Sequence, residues 1–179
     1  MDGILYIDVS CQLSAQEVGG WTSVHMRRRK LSMADTWSTD DPSHQIYAEQ
    51  DVDALVVALE ASEVVIGYNC TAFDFEIIRG YRPFQPKRVL DLFSALRERT
   101  GQQIPISSVS KGIWGSDVVP SGVDRIELWK SGNLPLLADA CANQVRTIRK
   151  IHEYGLEHGR VAYADRFGRV RQVKVDWRV

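Results

Sequence analysis

Two aspartates follow apolar segments that the sequence predicts to be buried strands. Residues 4–7 form a short apolar run that ends at Asp8, and the β-branched run at 63–67 leads through a polar turn to Asp74, which opens a segment with helical spacing. Hard divalent cations bind carboxylate oxygens, and sites in α/β proteins tend to lie at strand ends. Each aspartate alone is typical of a cap, but the pair predicts a shared cation site, with Asp8 exposed at the edge of the sheet.

Other common catalytic arrangements do not occur in the sequence. Cys11, Cys70 and Cys141 are widely separated and form no CxxC pair, so neither a zinc site nor a disulfide framework is indicated. There is no HExxH spacing, no Gly-x-Ser-x-Gly elbow and no glycine-rich phosphate loop. We therefore expect reduced thiols, a cytoplasmic location and no bound cofactor. Mg²⁺ or Mn²⁺ would be needed only if some activity remains.

Size and composition predict one globular domain over residues 1–179. The chain has 179 residues, of which 44% are hydrophobic and 25% charged. No apolar run approaches the roughly 20 residues that a membrane span needs, and the acidic N-terminus is unlike a secretory signal. We expect no membrane association.

Charge is unevenly distributed, although the formal net charge is only −1. Residues 31–78 contain ten acids and no lysine or arginine, whereas residues 160–179 contain six basic residues and two acids. Such runs are typical of a solvated face, and a nucleic-acid-facing edge is the alternative interpretation. Under that alternative, the residues that would contact phosphates are Arg27, Arg28, Arg29, Lys30, Arg166, Arg169 and Arg171.

The order of the predicted elements indicates an α/β fold with a mixed sheet. A three-stranded antiparallel meander comes first, followed by a helix, a buried strand, further helices and a C-terminal hairpin. The predicted strands are 4–8, 29–37, 44–49, 63–67 and 88–90, with hairpin strands at 161–163 and 170–175. The predicted helices begin near Asp51 and cover 73–80, 91–99, 107–113 and 134–159, with a loop at 115–122.

Several motifs resemble, in order and spacing, a bacterial family of predicted 3′–5′ exonucleases in the DEDD superfamily. The segments Tyr6-Ile7-Asp8-Val9-Ser10-Cys11-Gln12 and Ser14-Ala15-Gln16-Glu17-Val18-Gly19-Gly20-Trp21 are similar to the family patterns Tyr-Phe-Asp-Leu-Glu-Thr-Gln and Ser-Ala-x-Glu-Val-Gly-Gly-Trp. Gly67-Tyr68-Asn69 with Phe73-Asp74 is similar to Gly-Phe-Asn-x-x-x-Phe-Asp. The resemblance extends over nearly the whole chain through Leu90-Asp91-Leu92-Phe93, Trp129-Lys130-Ser131-Gly132 and Val175-Asp176-Trp177.

The resemblance implies a ribonuclease H-like domain of the proofreading-exonuclease type. In that family, four acids hold two Mg²⁺ or Mn²⁺ ions, which in two-metal sites lie roughly 3.5–4 Å apart. This chain matches the family at Asp8 and Asp74, the two residues expected to bind any remaining metal ion. At the position of the family's strand-one glutamate it has Ser10.

The last helix differs from the family pattern in the same way. The family reads Glu-Tyr-Cys-x-x-Asp-Val, and Cys141 and Val145 fix the register of this chain against it. Gln144 then stands where the family has an aspartate, and Ala140 stands where it has the tyrosine that orients the attacking water. The resemblance therefore implies a degenerate site with one weakly held cation at most.

Three functions are compatible with these features. The first is a pseudo-exonuclease that binds DNA or RNA, preferably a single-stranded end, and has weak or no nuclease activity. The second is an active metal-dependent 3′–5′ exonuclease that uses Asp8, Ser10, Asp74 and Gln144 as an unusual ligand set. The third is a protein-interaction module, including a homodimer, with the acidic segment 35–76 as its partner face. We favour the first.

Overall fold

The computed structural model describes residues 3–115 and 124–179, and it has an α/β fold. The strands of its mixed sheet are β1 (Ile4–Cys11), β2 (Leu31–Ser38), β3 (His44–Tyr47), β4 (Val64–Gly67) and β5 (Val89–Asp91). They lie in the order β3-β2-β1-β4-β5. The pairs β1–β2 and β2–β3 are antiparallel, while β1–β4 and β4–β5 are parallel. A separate hairpin consists of β6 (Arg160–Ala164) and β7 (Val170–Lys174). The predicted meander, mixed sheet and C-terminal hairpin are confirmed.

Helices flank the sheet. They are α1 (Ala15–Val18), α2 (Ser23–Met26), α3 (Val52–Ala61), α4 (Asp74–Arg79), α5 (Leu92–Thr100), α6 (Ile106–Trp114), α7 (Arg125–Lys130) and α8 (Leu134–His158). The short helices α1, α2 and α7, of four, four and six residues, are not predicted. The loop predicted at 115–122 lies outside the described residues, apart from Gly115. No helix in the described ranges is both long enough and apolar enough to cross a membrane.

The central strand β1 is longer than the sequence predicts. We predicted that it ends at Asp8, but it continues to Cys11, because Val9 and Cys11 are also buried and Cys11 pairs with Leu31 of β2. Asp8 therefore lies inside the strand and is only 8% exposed. The expectation of an exposed carboxylate at the sheet edge is wrong.

The two faces of the sheet pack against different helices. On β1, Leu5, Ile7 and Val9 belong to a core cluster with residues of α3 and α4. Ile4 and Tyr6 belong to a second cluster with residues of α5, α6, α8 and the hairpin. Because side chains alternate along a strand, Asp8 and Ser10 share the face of Ile4 and Tyr6. They are thus directed toward the face that α8 covers.

Two glycines permit close packing around that second cluster. A Cβ atom at Gly112 of α6 would lie 2.3 Å from the Tyr163 Cα of β6. A Cβ atom at Gly155 of α8 would lie 2.3 Å from the indole ring of Trp177. Both distances are far below van der Waals contact, so only glycine fits at these positions.

All three cysteines are free thiols, and all are buried. Cys11 and Cys70 belong to the core cluster beneath α3 and α4. Cys141 packs with Met33 and Leu137 in a third, smaller cluster between β2 and α8. The cysteines are therefore part of the packing on both sides of the sheet.

Candidate functional site

A pocket of about 360 Å³ lies where β1, β4 and the start of α4 approach α7 and α8. It brings together the predicted Asp8, Ser10, Asp74 and Gln144. Its other lining residues are Val9, Cys11, Arg29, Tyr68, Asn69, Phe73, Asp124, Arg125 and Ile126. The sequence therefore identified residues that converge in one pocket, although they come from three elements that are distant along the chain, β1, α4 and α8.

A structured turn between β4 and α4 positions Asp74. Asn69 adopts the left-handed conformation with a φ of 63°, which asparagine tolerates better than most residues. The Asp91 carboxylate accepts hydrogen bonds from the Asn69 N–H at 2.7 Å and from the Thr71 hydroxyl at 2.7 Å. The turn then places Asp74 at the start of α4, where it lines the pocket.

Asp91 and Glu17 have structural roles. Asp91 caps α5 by accepting hydrogen bonds from the N–H groups of Phe93 and Ser94. Glu17 forms a capping box with Ser14, and it also pairs with Lys130 at 2.7 Å. Neither residue lines the pocket.

Arg125 is the residue of this site that sequence reasoning missed. Its Nη1 lies 2.5 Å from Oδ2 of Asp8, and its Nη2 donates to the Ala140 carbonyl oxygen at 3.3 Å. Arg125 is the first residue of α7, whose N-cap Asp124 accepts hydrogen bonds from the N–H groups of Ile126 and Glu127. Asp124 as a capping residue is the one signal in the sequence that could have marked this helix.

Ala140 therefore contacts the site with its backbone carbonyl group. It stands at the position where the resemblance implies a water-orienting tyrosine, but a methyl group offers no hydrogen bond. Its carbonyl oxygen instead holds the Arg125 guanidinium. Arg125 thus connects β1 with α8.

The electrostatics of the pocket are dominated by burial. Burial raises the pKa of Asp8, and the adjacent Arg125 charge opposes this rise. Burial raises the pKa of Asp74 well above its usual value, and the negative charges of Asp8 and Asp91 raise it further. Burial is the largest single effect on the pKa of Arg125 and lowers it, but the Asp8 charge and hydrogen bond, together with the nearby Cys141 and Asp74, hold that pKa above its usual value.

A third buried acid, Asp35, lies opposite Asp8 in the β1–β2 register. Burial raises the pKa of Asp35 to about 6. Its Oδ2 accepts a hydrogen bond from His44 Nδ1 at 2.7 Å, and its Oδ1 is buried without a hydrogen-bond partner among the described residues. It does not line the pocket, so it does not replace the acid missing at Ser10.

The residues present do not fit a pair of divalent cations. Two such ions need several carboxylates to balance four positive charges. Asp8 is already engaged by Arg125, and Ser10 and Gln144 are neutral. In the described ranges, no group of three or more His, Cys, Asp or Glu side chains is arranged to hold a metal ion.

Arg27, Arg28 and Lys30 of the basic run at 27–30 are exposed, whereas Arg29 is buried. Arg27 pairs with Glu76 at 2.9 Å. Arg29 is buried, donates its Nε–H to the Leu13 carbonyl oxygen at 2.8 Å and lines the pocket.

The predicted arginines of the hairpin share a second cavity. A groove of about 770 Å³ lies between residues 102–108 and the hairpin, and Arg166, Arg169 and Arg171 all line it. Phe167, also in its wall, is 65% exposed. The Cζ atoms of Arg166 and Arg169 lie 4.7 and 4.9 Å from its ring centroid. Asp165 accepts hydrogen bonds from Arg169 and Arg171.

The pocket and the groove are neighbours. Tyr68 lines the pocket, Ile104 lines the groove, and the Tyr68 hydroxyl donates to the Ile104 carbonyl oxygen at 2.6 Å. A residue that lines the pocket is therefore in direct contact with a residue that lines the groove.

Comparison with models of known protein families finds no match, and comparison with curated proteins finds no matching sequence. The exonuclease resemblance therefore depends on the motifs quoted above.

Proposed function

We propose that this chain binds nucleic acid through a degenerate, ribonuclease H-like DEDD domain and cleaves it weakly or not at all. The observation that carries the proposal is the ion pair between Arg125 and Asp8. Asp8 is one of only two acids that the chain retains from the family pattern, and this contact engages it.

The charge balance of the pocket supports the absence of efficient cleavage. Phosphodiester hydrolysis by two metal ions needs both ions in place to stabilise the attacking and leaving oxygens. Asp8 and Asp74 supply at most two negative charges, and Arg125 already neutralises one of them. Since Mg²⁺ dehydrates reluctantly, a pocket with one free buried carboxylate is a poor site for two such ions.

The hairpin groove supports nucleic-acid binding. It has three arginines against one aspartate, together with the exposed ring of Phe167. Arginines that neutralise phosphates dominate affinity for nucleic acids, and stacking of a base on an aromatic ring contributes about 1–3 kcal/mol. A single strand fits this combination best, because its bases are free to stack.

Binding can be tested with fluorescent single-stranded and duplex oligonucleotides of DNA and RNA. We expect single strands to bind at about 50 mM salt, and to bind about 20-fold more weakly at about 200 mM salt if three phosphates are contacted. Phe167→Ala should weaken binding by about 1–3 kcal/mol, and Arg166→Gln with Arg169→Gln should reduce the salt dependence.

The matched control for these variants is Arg178→Gln. Arg178 is also an exposed arginine paired with an aspartate, Asp176, but it does not line the groove. The Arg178→Gln variant should bind oligonucleotides like the wild type. Absence of binding to every oligonucleotide at low salt would overturn the binding part of the proposal.

Cleavage is tested separately with end-labelled oligonucleotides and Mn²⁺. We expect the substrate to remain intact over incubations that a proofreading exonuclease would complete. Shortening of the strand from its 3′ end by wild-type protein, lost in Asp8→Ala, would instead establish an active exonuclease with an unusual site.

A further inference from the structure

We infer that the guanidinium of Arg125 is a fixed internal cation that takes the place of a divalent cation at the Asp8–Asp74 pair. Removal of this side chain should convert the pocket into a divalent-cation site. The inference extends the proposed function without depending on it, because it concerns the binding of a cation and not of nucleic acid.

The first support is the position of the two acids. Asp8 and Asp74 are 8% and 4% exposed, and both line the same pocket. Two like charges in a shared, poorly solvated site repel each other, and an opposite charge is needed to keep either of them ionised. Arg125 supplies that charge through its direct contact with Asp8.

The second support is that Arg125 is held in place from two other directions. Its Nη2 donates to the Ala140 carbonyl oxygen, and its backbone starts a helix that Asp124 caps. Its side chain is only 21% exposed. Because a buried arginine cannot lose its proton, its positive charge persists in the pocket.

The third support is that Arg125 and a divalent cation exclude each other. When both acids are ionised, they carry one net negative charge together with Arg125. A divalent cation added beside Arg125 would leave the pocket with an excess positive charge, and two cations a few ångströms apart repel strongly where little water screens them. Without Arg125, a divalent cation would balance the two acids, and the oxygens of Ser10 and Gln144 could complete its ligands.

The test compares Mn²⁺ binding by wild type and Arg125→Gln in the absence of nucleic acid, measured from the loss of the EPR signal of free Mn²⁺. We expect no saturable Mn²⁺ binding at the pocket of the wild type. Arg125→Gln should bind Mn²⁺ at least about ten-fold more tightly than any residual binding by the wild type. Mn²⁺ should also raise the melting temperature of Arg125→Gln but not that of the wild type.

Three further variants identify the cause. Arg125→Lys keeps the positive charge and should behave like the wild type. Arg125→Gln combined with Asp74→Asn lacks one acid and should lose the gained binding. Arg27→Gln removes an arginine from another ion pair, that with Glu76, and should gain nothing.

The inference would be overturned if Arg125→Gln bound Mn²⁺ no better than the wild type, or if Arg27→Gln gained the same binding. If Arg125→Gln does not fold, the wild type still decides the question by NMR. Broadening of the Ser10 and Asn69 amide signals by Mn²⁺, abolished by Asp74→Asn, would place a metal ion beside Arg125 and contradict the inference. Unbroadened signals would support it.

Discussion

Asp8 and Asp74 share a pocket, but different groups stabilise them. The Asp8 carboxylate is paired with the Arg125 guanidinium, and both side chains are largely buried. For Asp74, burial and the negative charges of Asp8 and Asp91 oppose ionisation, and the Arg125 charge favours it less strongly. The same chemical change at these two aspartates should therefore have opposite effects on stability.

Asp8→Asn is expected to lower the free energy of unfolding by roughly 2–4 kcal/mol at neutral pH, because it leaves the Arg125 charge without its partner. Asp74→Asn is expected to raise it by about 1 kcal/mol near pH 8, because it removes a charge that burial disfavours. Urea denaturation followed by circular dichroism measures both. Asp53→Asn, at an exposed ion pair with Arg82, is the control and should change little.

The effect of Asp74→Asn should depend on pH in a defined direction. The folded-state pKa of Asp74 lies above its value of 3.8 in the unfolded chain. The folded wild type therefore holds this proton more tightly, and its stability falls as the pH rises from the unfolded to the folded pKa. The advantage of the variant should grow with pH and disappear near about pH 4. An advantage that shrinks with rising pH would contradict the burial of this charge.

The two retained acids and the two positions where acids are missing could be predicted from the sequence, but Arg125 could not. Asp8, Ser10, Asp74 and Gln144 lie in motifs whose order is visible along the chain. Arg125 meets Asp8 across 117 positions, and no local pattern links two residues so far apart. The burial of Asp8 was also missed, because the strand was expected to end where its polar residues begin.

At the scale of elements, the contact between α6 and the hairpin depends on the missing side chain of Gly112. The helix approaches the backbone of β6 so closely that a Cβ atom at this position would meet the Tyr163 backbone. Backbone atoms of a paired strand cannot move aside as a flexible side chain can. The position of β6, and with it one wall of the groove, is therefore set by this glycine.

Gly112→Ala is expected to destabilise the protein by about 1–3 kcal/mol, as overpacking does. In an exposed helix the same change would stabilise by up to about 1 kcal/mol, because alanine is the better helix former. The sign of the effect in thermal unfolding thus separates close packing from helix propensity. Lys111→Ala, on the exposed side of α6, is the control, and a stabilised Gly112→Ala would contradict the close contact.

The sequence predicted the long elements of the fold better than the short ones. The 25-residue helix α8 and the buried strand β1 show clear apolar patterns over several residues. The short helices α1 and α7 instead depend on single capping residues, Ser14 and Asp124, which occur equally well in loops. Since Arg125 begins α7, missing this helix also meant missing the arginine.

At the scale of the whole molecule, His152 of the longest helix connects the central strand to the C-terminal segment. The Tyr6 hydroxyl of β1 donates to Nδ1 of His152 at 2.9 Å, and Nε2 of His152 donates to the Trp177 carbonyl oxygen at 3.2 Å. Burial lowers the pKa of His152, which favours the neutral ring that these two hydrogen bonds require. The indole of Trp177 packs into the space left by Gly155.

Trp177→Ala is expected to lower the free energy of unfolding by about 3–5 kcal/mol, because it leaves a cavity in the second core cluster. Thermal or urea unfolding measures this loss. Arg178→Ala, at the exposed neighbouring position, should leave stability within about 0.5 kcal/mol of the wild type. Equal stability of the two variants would show that the C-terminal segment does not contribute to the core.

The burial of all three free thiols gives the molecule a set of internal reporters. A thiol reagent can reach Cys70 only when the packing under α3 and α4 opens, and Cys141 only when α8 separates from β2. Cys11 is also buried, but it lines the pocket. Burial also raises the pKa of each thiol, which keeps the reactive thiolate scarce in the folded chain. The labelling rates at Cys70 and Cys141 therefore report local opening of their own regions, so the two sides of the sheet can be followed separately without introducing any probe.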